Sequence, residues 1–447
     1  MRKQVIAGIL YLFAVQHINA QATDSVKESN WSTHFQLTVI AQAHSGFKSR
    51  YSGANSLADS VETGATSITS TLFLGRKLWK GAAVYFNPEL SGGRGLSYAV
   101  GVAGALNGET YRIGDPAPVV SVARVYLQQS FALGTRGADT LEDGANQLGG
   151  KVPANRLTIT VGKFSMSDFY DKNSLSHDPR TQFMNWSLMS NGAWDYPANT
   201  KGYTLGLVAE LIKPGWTLRL SSVAVPRIAN HPELEYVFAK AHSETAEFQY
   251  NISIQHRPGI VRATFSYSAS RAPSYRAGIA AVSTRDTFLL NVIAGNAEGT
   301  TFGGKKTGVY LNIEQAVTND LSAFARIGWN DGKYATWAFT EIDQTVHAGV
   351  SVKGTAWERK DDVVGIAAVI NGISPGHRDF LKAGGYGFII GDGALNYGHE
   401  AIGELYYNAK LYNTVWLTLD YQLVHNPAYN RDRGPLHVFS IRGHIEF

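Results

Sequence analysis

The chain has 447 residues, no cysteine, a net charge of +4 and 17% charged residues, against roughly 25% in an ordinary globular domain. So small a charge excess gives no footing for nucleic-acid binding, and the lack of cysteine excludes disulfides and thiolate metal sites. Glycine (46), tyrosine (22) and tryptophan (9) are plentiful, as tight turns and interfacial aromatics require in an all-β membrane protein.

The first predicted element is a secretory signal peptide over residues 1–20, "MRKQVIAGILYLFAVQHINA". Arg2 and Lys3 form its basic start, Val5 to Val15 its apolar run, and Ala20 precedes the expected cut at Gln21. That run is short of the roughly 20 residues a membrane anchor needs. Residues 21–33 are expected to form a short periplasmic segment and 34–447 the folded domain.

From residue 34 the chain alternates apolar and polar residues with period two. Strands are predicted near 34–44, 67–75, 82–89, 121–131, 156–164, 203–210, 216–223, 246–256, 259–269, 306–315, 321–329, 345–353, 362–370, 400–410, 414–424 and 437–447. In "HFQLTVIAQAH" Phe35, Leu37, Val39, Ala41 and Ala43 share one face, and His34, Gln36, Thr38, Gln42 and His44 the other. "RLTITVGKF", "EFQYNISIQ" and "VWLTLDYQL" repeat the pattern. In the last segment, "HVFSIRGHIEF", Phe439, Ile441, Gly443, Ile445 and Phe447 oppose Ser440, Arg442, His444 and Glu446. Ionisable groups at consecutive inward positions would be costly in a dry core, so that face must be wet.

No stretch beyond the leader approaches membrane-helix length, so a membrane-resident chain must cross as a closed barrel. The links "RPG", "LIKPG", "AVTND" and "LYNT" are tight, and they alternate with links of about a dozen to nearly forty residues. The expected fold is therefore an all-β, transmembrane antiparallel β-barrel of about 16 strands, with short periplasmic turns and long extracellular loops. The link 132–155 is long on the side that should be short, and the sequence supplies no reason for it.

"YFNPEL", "GVAGALNGE", "RLTITVGKFSMSDFYD", "HDPRTQFMNWSLM", "GAWDYPANTKGYTLG", "GWNDGKY", "DDVVGIAAVINGISPGHRDFL" and "LNYGHEAIGELYY" stand in an order that resembles the carbohydrate-selective porins, the OprB-type sugar porins of bacterial outer membranes. The resemblance runs from the first strand to Phe447. It implies a sixteen-stranded barrel passing mono- and small oligosaccharides by facilitated diffusion in a Gram-negative outer membrane, with no cofactor. It also implies that Phe447 belongs to the signal read by the barrel-assembly machinery. Sugars as transported solutes, outer-membrane lipid and that machinery are the expected partners, and homo-oligomerisation is left open.

A sugar pathway needs polar groups that replace water at hydroxyls and flat apolar surfaces for the rings. Strand phase supplies channel-lining candidates: Asn87 and Glu89 beside Tyr85, then Arg124, Tyr126, Gln128, Glu210, Arg219, Arg262, Glu314, Arg326, Glu404 and Arg442. Their mixed signs suit neutral polyols. The longest loop, 165–202, is the candidate constriction, with Asp168, Asp178, Arg180, Phe183, Trp186, Trp194, Asp195 and Tyr196. Two roles stay open for it: the tryptophans and an Arg180–carboxylate pair fix the loop to the wall, or they touch sugar.

Other signals carry less. "GISPG" places Ser374 in a G-x-S-x-G pattern, but Pro375 and Gly376 look a poor helix opening for a nucleophile elbow. Asp139, Glu142 and Asp143 lack calcium-loop spacing, and His44, His347 and His444 are single inward positions, so no metal site is expected. A general or ion-selective nutrient porin, a barrel enzyme and a plugged structural or adhesive barrel are the rival readings.

Overall fold

The computed structural model describes residues 29–110, 116–135 and 137–447; the expected signal peptide and most of the segment after it lie outside the described residues. Its first half runs β1 (Trp31–His44), β2 (Glu62–Lys77), β3 (Ala82–Gly93), β4 (Val119–Ala132), β5 (Ala138–Leu141), β6 (Gly150–Pro153), β7 (Arg156–Phe164), β8 (Thr204–Lys213) and β9 (Trp216–Val223). The second half runs β10 (His242–Ile254), β11 (Arg257–Ser270), β12 (Gly304–Ala316), β13 (Leu321–Asn330), β14 (Gln344–Gly354), β15 (Arg359–Gly372), β16 (Glu400–Tyr412), β17 (Val415–His425) and β18 (Leu436–Glu446). All but β5 and β6 join one closed antiparallel barrel of sixteen strands, in which each strand pairs with its sequence neighbour.

Closure is made by β18 on β1, with Ile40 opposite Arg442 and Gln36 opposite Glu446. Phe447 adds two backbone bonds to Phe35, at 2.7 and 3.1 Å, so no backbone edge is left there. Period-two alternation decides which face each side chain takes. Ser440, Arg442 and His444 are buried inside, whereas Phe439 and Ile441 face out. Phe248, Val309, Ile327, Ile366 and Leu419 are likewise exposed on the outer wall, a belt that suits lipid. At the turn end Trp31, Trp79, Phe131, Tyr250, Tyr412 and Phe447 add exposed aromatics, the composition of an interfacial girdle. No helix of the described residues is long and apolar enough to cross a membrane.

Every predicted strand has its counterpart, and 156–164 and 216–223 coincide with β7 and β9. The unexplained link between β4 and β7 is a hairpin of its own, β5 on β6. Its tip leans across the turn-end opening. Asp143 meets His34 at 3.2 Å, Ser32 Oγ donates to the Gly144 carbonyl, and the Leu148 N–H donates to the Tyr85 hydroxyl.

Alternation cannot announce helices inside loops, and four among the described residues were not expected: Trp186–Met189, Tyr275–Thr284, Thr287–Ile293 and Pro375–Lys382. The last corrects the view of "GISPG" as a poor helix opening. Pro375 takes the first turn, where a missing N–H costs nothing, and the Ser374 hydroxyl caps the helix by accepting from the His377 N–H.

Candidate functional site

The segment between β7 and β8, residues 165–203, folds into the lumen. It leaves β7 through a capped turn in which Ser165 and Asp168 bond each other's backbone N–H groups. Arg124 on β4 then grips Asp168 with two bonds of 2.6 and 2.7 Å. Asp171 turns the chain in a left-handed conformation, φ +52°. It is held there by Arg326 at 3.0 Å and Asn312 at 2.7 Å, while its own N–H donates to Glu247.

Farther along, Arg180 bonds Glu89 and Glu109, and Arg442 reaches the carbonyls of Pro179 and Gln182. Glu404 accepts the N–H groups of Met184 and Asn185. The His347 ring meets the Ser187 carbonyl at 2.6 Å, and Arg326 also bonds the carbonyls of Ser176 and Leu188. The wall is cut back to receive this segment. A side chain at Gly328 would place its Cβ 1.9 Å from Asn191 Oδ1, and one at Gly365 would strike Tyr406.

On one side of this segment lies a cavity of about 1530 Å³ that opens at the turn end. Tyr85, Tyr126, Gln128, Glu210, Arg219, Arg262, Glu314 and Asp168 border it, with the β5–β6 hairpin across its mouth. On the other side the lumen is packed. Trp186, Trp194, Tyr196, Phe339, Ile342, Tyr275, Phe380, Ile389, Ile390 and Tyr429 form one buried cluster, with ring centroids 5.1 Å apart for Trp186–Phe339 and Tyr196–Phe339. Among the described residues, the inserted segment is the one long connection of that end that borders the cavity, through residues such as Asp168, Lys172 and Ser174.

Carboxylates tie the packed end together by accepting backbone N–H groups. Asp195 takes those of Trp337, Ala338 and Phe339 and pairs with Lys306 at 3.2 Å. Glu341 takes those of Ile389 and Ile390. Burial pushes the Glu341 carboxyl above the usual carboxylate range, against the opposing pull of His377 and those two N–H groups. Burial acts the same way on Asp343, but the His377 ring, bonded at 3.1 Å, outweighs it with help from Lys306 and the Ser374 N–H, and holds Asp343 below its ordinary range.

Of the twelve channel-lining candidates, Tyr126, Gln128, Glu210, Arg219, Arg262 and Glu314 border the cavity. Glu89, Arg124, Arg326, Glu404 and Arg442 point inward but bond the inserted segment, and Asn87 is buried. Of the loop candidates, Asp168 reaches the cavity, Asp178 caps its own turn through the Arg180 N–H, and Arg180, Trp186, Trp194, Asp195 and Tyr196 hold the loop to its surroundings. Sequence reasoning passed over Glu247, Asp171, Lys172 and Asn312. Glu247 could have been singled out by its inward phase; the loop residues depend on a left-handed turn that no pattern marks.

Ser374, His377 and Asp343 do lie together. However, the serine hydroxyl donates to the Gly332 carbonyl while capping its helix, and the histidine ring faces Asp343 and Tyr275. Its contact with Ser374 is through backbone, so the trio is a loop clasp in geometry.

Comparison with known proteins bears on the same barrel. The family model for the carbohydrate-selective porins, OprB family, matches residues 65–447. The high-pH structure of Pseudomonas putida OprB is similar over 94% of each chain, at 16% identity and a TM-score of 0.65. The low-pH structure of that protein matches at 14% identity and 0.48, over 94% of this chain and 93% of its own. OmpT of Vibrio cholerae matches at 10% identity and 0.46, over 95% and 100%. Comparison with curated proteins gives no match. With the family model spanning β2 to the final strand of a closed sixteen-stranded barrel, the chain belongs to the OprB family of carbohydrate-selective porins.

Proposed function

We propose that this porin passes mono- and small oligosaccharides by passive diffusion across a Gram-negative outer membrane, with segment 165–203 setting selectivity. The turn end faces the periplasm, as the short-turn, long-loop asymmetry of outer-membrane barrels requires. One observation carries the reading: a polar, aromatic-bearing cavity of about 1530 Å³ inside a closed barrel, ending on an inserted segment pinned by arginine–carboxylate pairs. Solute leaves the cavity past that segment when the packed loops part.

The packed loop end favours a second reading, a plugged structural barrel. Liposome swelling separates them. The porin reading expects swelling with glucose and progressively slower swelling with maltose and larger sugars; no swelling by any sugar would overturn it. Residues 1–20 act as a cleaved signal peptide in this reading. Phe447, exposed beside Phe35 with ring centroids 5.3 Å apart, serves the assembly machinery. Its deletion is expected to lower the yield of folded barrel in the outer membrane.

A further inference from the structure

Charge in the turn-end cavity is unevenly committed. Among the described residues, eight lysines and arginines border it against three carboxylates, Asp168, Glu210 and Glu314. Each of the three is bonded by an arginine: Asp168 by Arg124 at 2.6 Å, Glu210 by Arg219 at 2.9 Å and Glu314 by Arg262 at 2.9 Å. Glu247, a further acid acting on this region, is buried and accepts from Arg219, Thr264 and the Asp171 N–H. These deep pairs cancel at close range.

Lys172 stands apart. It borders the cavity and is exposed, whereas its chain neighbours Asp171 and Asn173 are buried. Both neighbours are fastened to β12 through Asn312, Asp171 also to Arg326, and the Ser174 N–H and hydroxyl bond Glu314. With the backbone fixed on both sides and turned by the left-handed Asp171, the Lys172 side chain is presented to the cavity. Among the described residues its ammonium makes no ion pair or hydrogen bond; the surrounding protein holds its pKa below the ordinary lysine value, with Arg219 adding to that effect and Glu210, Asp168 and Glu247 opposing it. Toward the mouth Lys80 and Lys151 add positive charge to the border, which raises the local concentration of anions.

Resting on the sugar-channel reading above, we propose that Lys172 makes this porin prefer carbohydrates that carry a carboxylate, such as uronates and aldonates, over neutral sugars of the same size. The ammonium donates to the sugar carboxylate, and Gln128 and the paired charges meet the hydroxyls.

The test is initial uptake of labelled glucuronate and of labelled glucose into proteoliposomes bearing the full-length protein, at low ionic strength. The wild type is expected to favour glucuronate. Lys172→Gln should cut the glucuronate-to-glucose ratio by about fivefold, Lys172→Glu by more, and Lys172→Arg should keep it. Added salt should shrink the preference. A ratio at or below one in the wild type, or an equal ratio in Lys172→Gln, would overturn the proposal while leaving the sugar channel standing. Uptake of neither solute by correctly inserted protein would overturn both.

Discussion

The two ends of the lumen are built from the same alternating strands and differ in what the connections bring to them. At the turn end the connections are short, except for the β5–β6 hairpin, and the inward arginines and glutamates of β8 to β12 keep a water-accessible cavity. At the loop end, segments 331–343 and 373–399 and the inserted 165–203 deliver aromatics and backbone N–H groups. Inward carboxylates there are used up as anchors. A polar inward residue thus borders the open cavity at one end and is a structural fastener at the other, and strand phase alone does not distinguish the two.

The contrast is broken most severely by freeing a fastener. Arg326→Ala leaves the buried Asp171 carboxylate without its guanidinium, and leaves the carbonyls of Ser176 and Leu188 without that donor. Removing one partner of a buried pair costs about 3–5 kcal/mol. The expected result is a large drop in the unfolding midpoint, read as heat-modifiable mobility on gels, with little folded barrel recovered.

Next in size is Trp194→Ala. It empties a buried site among Tyr170, Tyr196 and Tyr310, at an expected local cost of about 3–5 kcal/mol. The loop end should loosen, so swelling rates for maltose and larger sugars should rise relative to glucose. Unchanged relative rates would mean that this packing does not gate the path.

Most of the barrel was legible because the period-two signal is dictated by lipid on one side and polar groups on the other, strand after strand. The inward phase of Arg124, Arg219 and Arg442 followed directly. Their partners did not. Arg124 meets Asp168, and Arg442 meets carbonyls at 179 and 182, through a segment whose path depends on the Asp171 turn and on small wall residues such as Gly328. The mixed signs read as suited to neutral polyols turn out to include arginine–carboxylate pairs in contact, and among the described residues Lys172 is a deep cavity cation without a direct partner. Loop helices were equally hidden, since Ser374 and Pro375 cap a helix whose apolar Phe380 and Leu381 join a cluster built largely from other loops.

The turn end offers a gentler perturbation. Replacing residues 138–153 with a short Gly-Ser turn removes β5, β6 and the surface pair between Asp143 and His34. Exposed pairs of that kind contribute roughly 0–1 kcal/mol, so barrel stability should barely move. The cavity mouth should widen, raising uptake of small sugars by a modest factor without altering their order. A reversal in that order would show that the hairpin selects among solutes as well as covering them.

The smallest effect separates the ends by pH. The Glu341 carboxyl is raised by burial above its ordinary value of 4.5, so its contribution to the packed end is full below 4.5 and is lost as pH rises through the raised value. Asp343 is held below its ordinary 3.8, so its contribution is present above 3.8 and is lost as pH falls through the depressed value. The loop end should therefore be tightest in mildly acid solution and should admit larger sugars more readily on either side. Glu341→Gln keeps an acceptor for the Ile389 and Ile390 N–H groups but cannot ionise. In swelling assays across pH it should remove the rise in large-sugar rates on the neutral side and keep the rise on the acid side. Loss of both arms, or of neither, would place the pH response outside this pair of carboxylates.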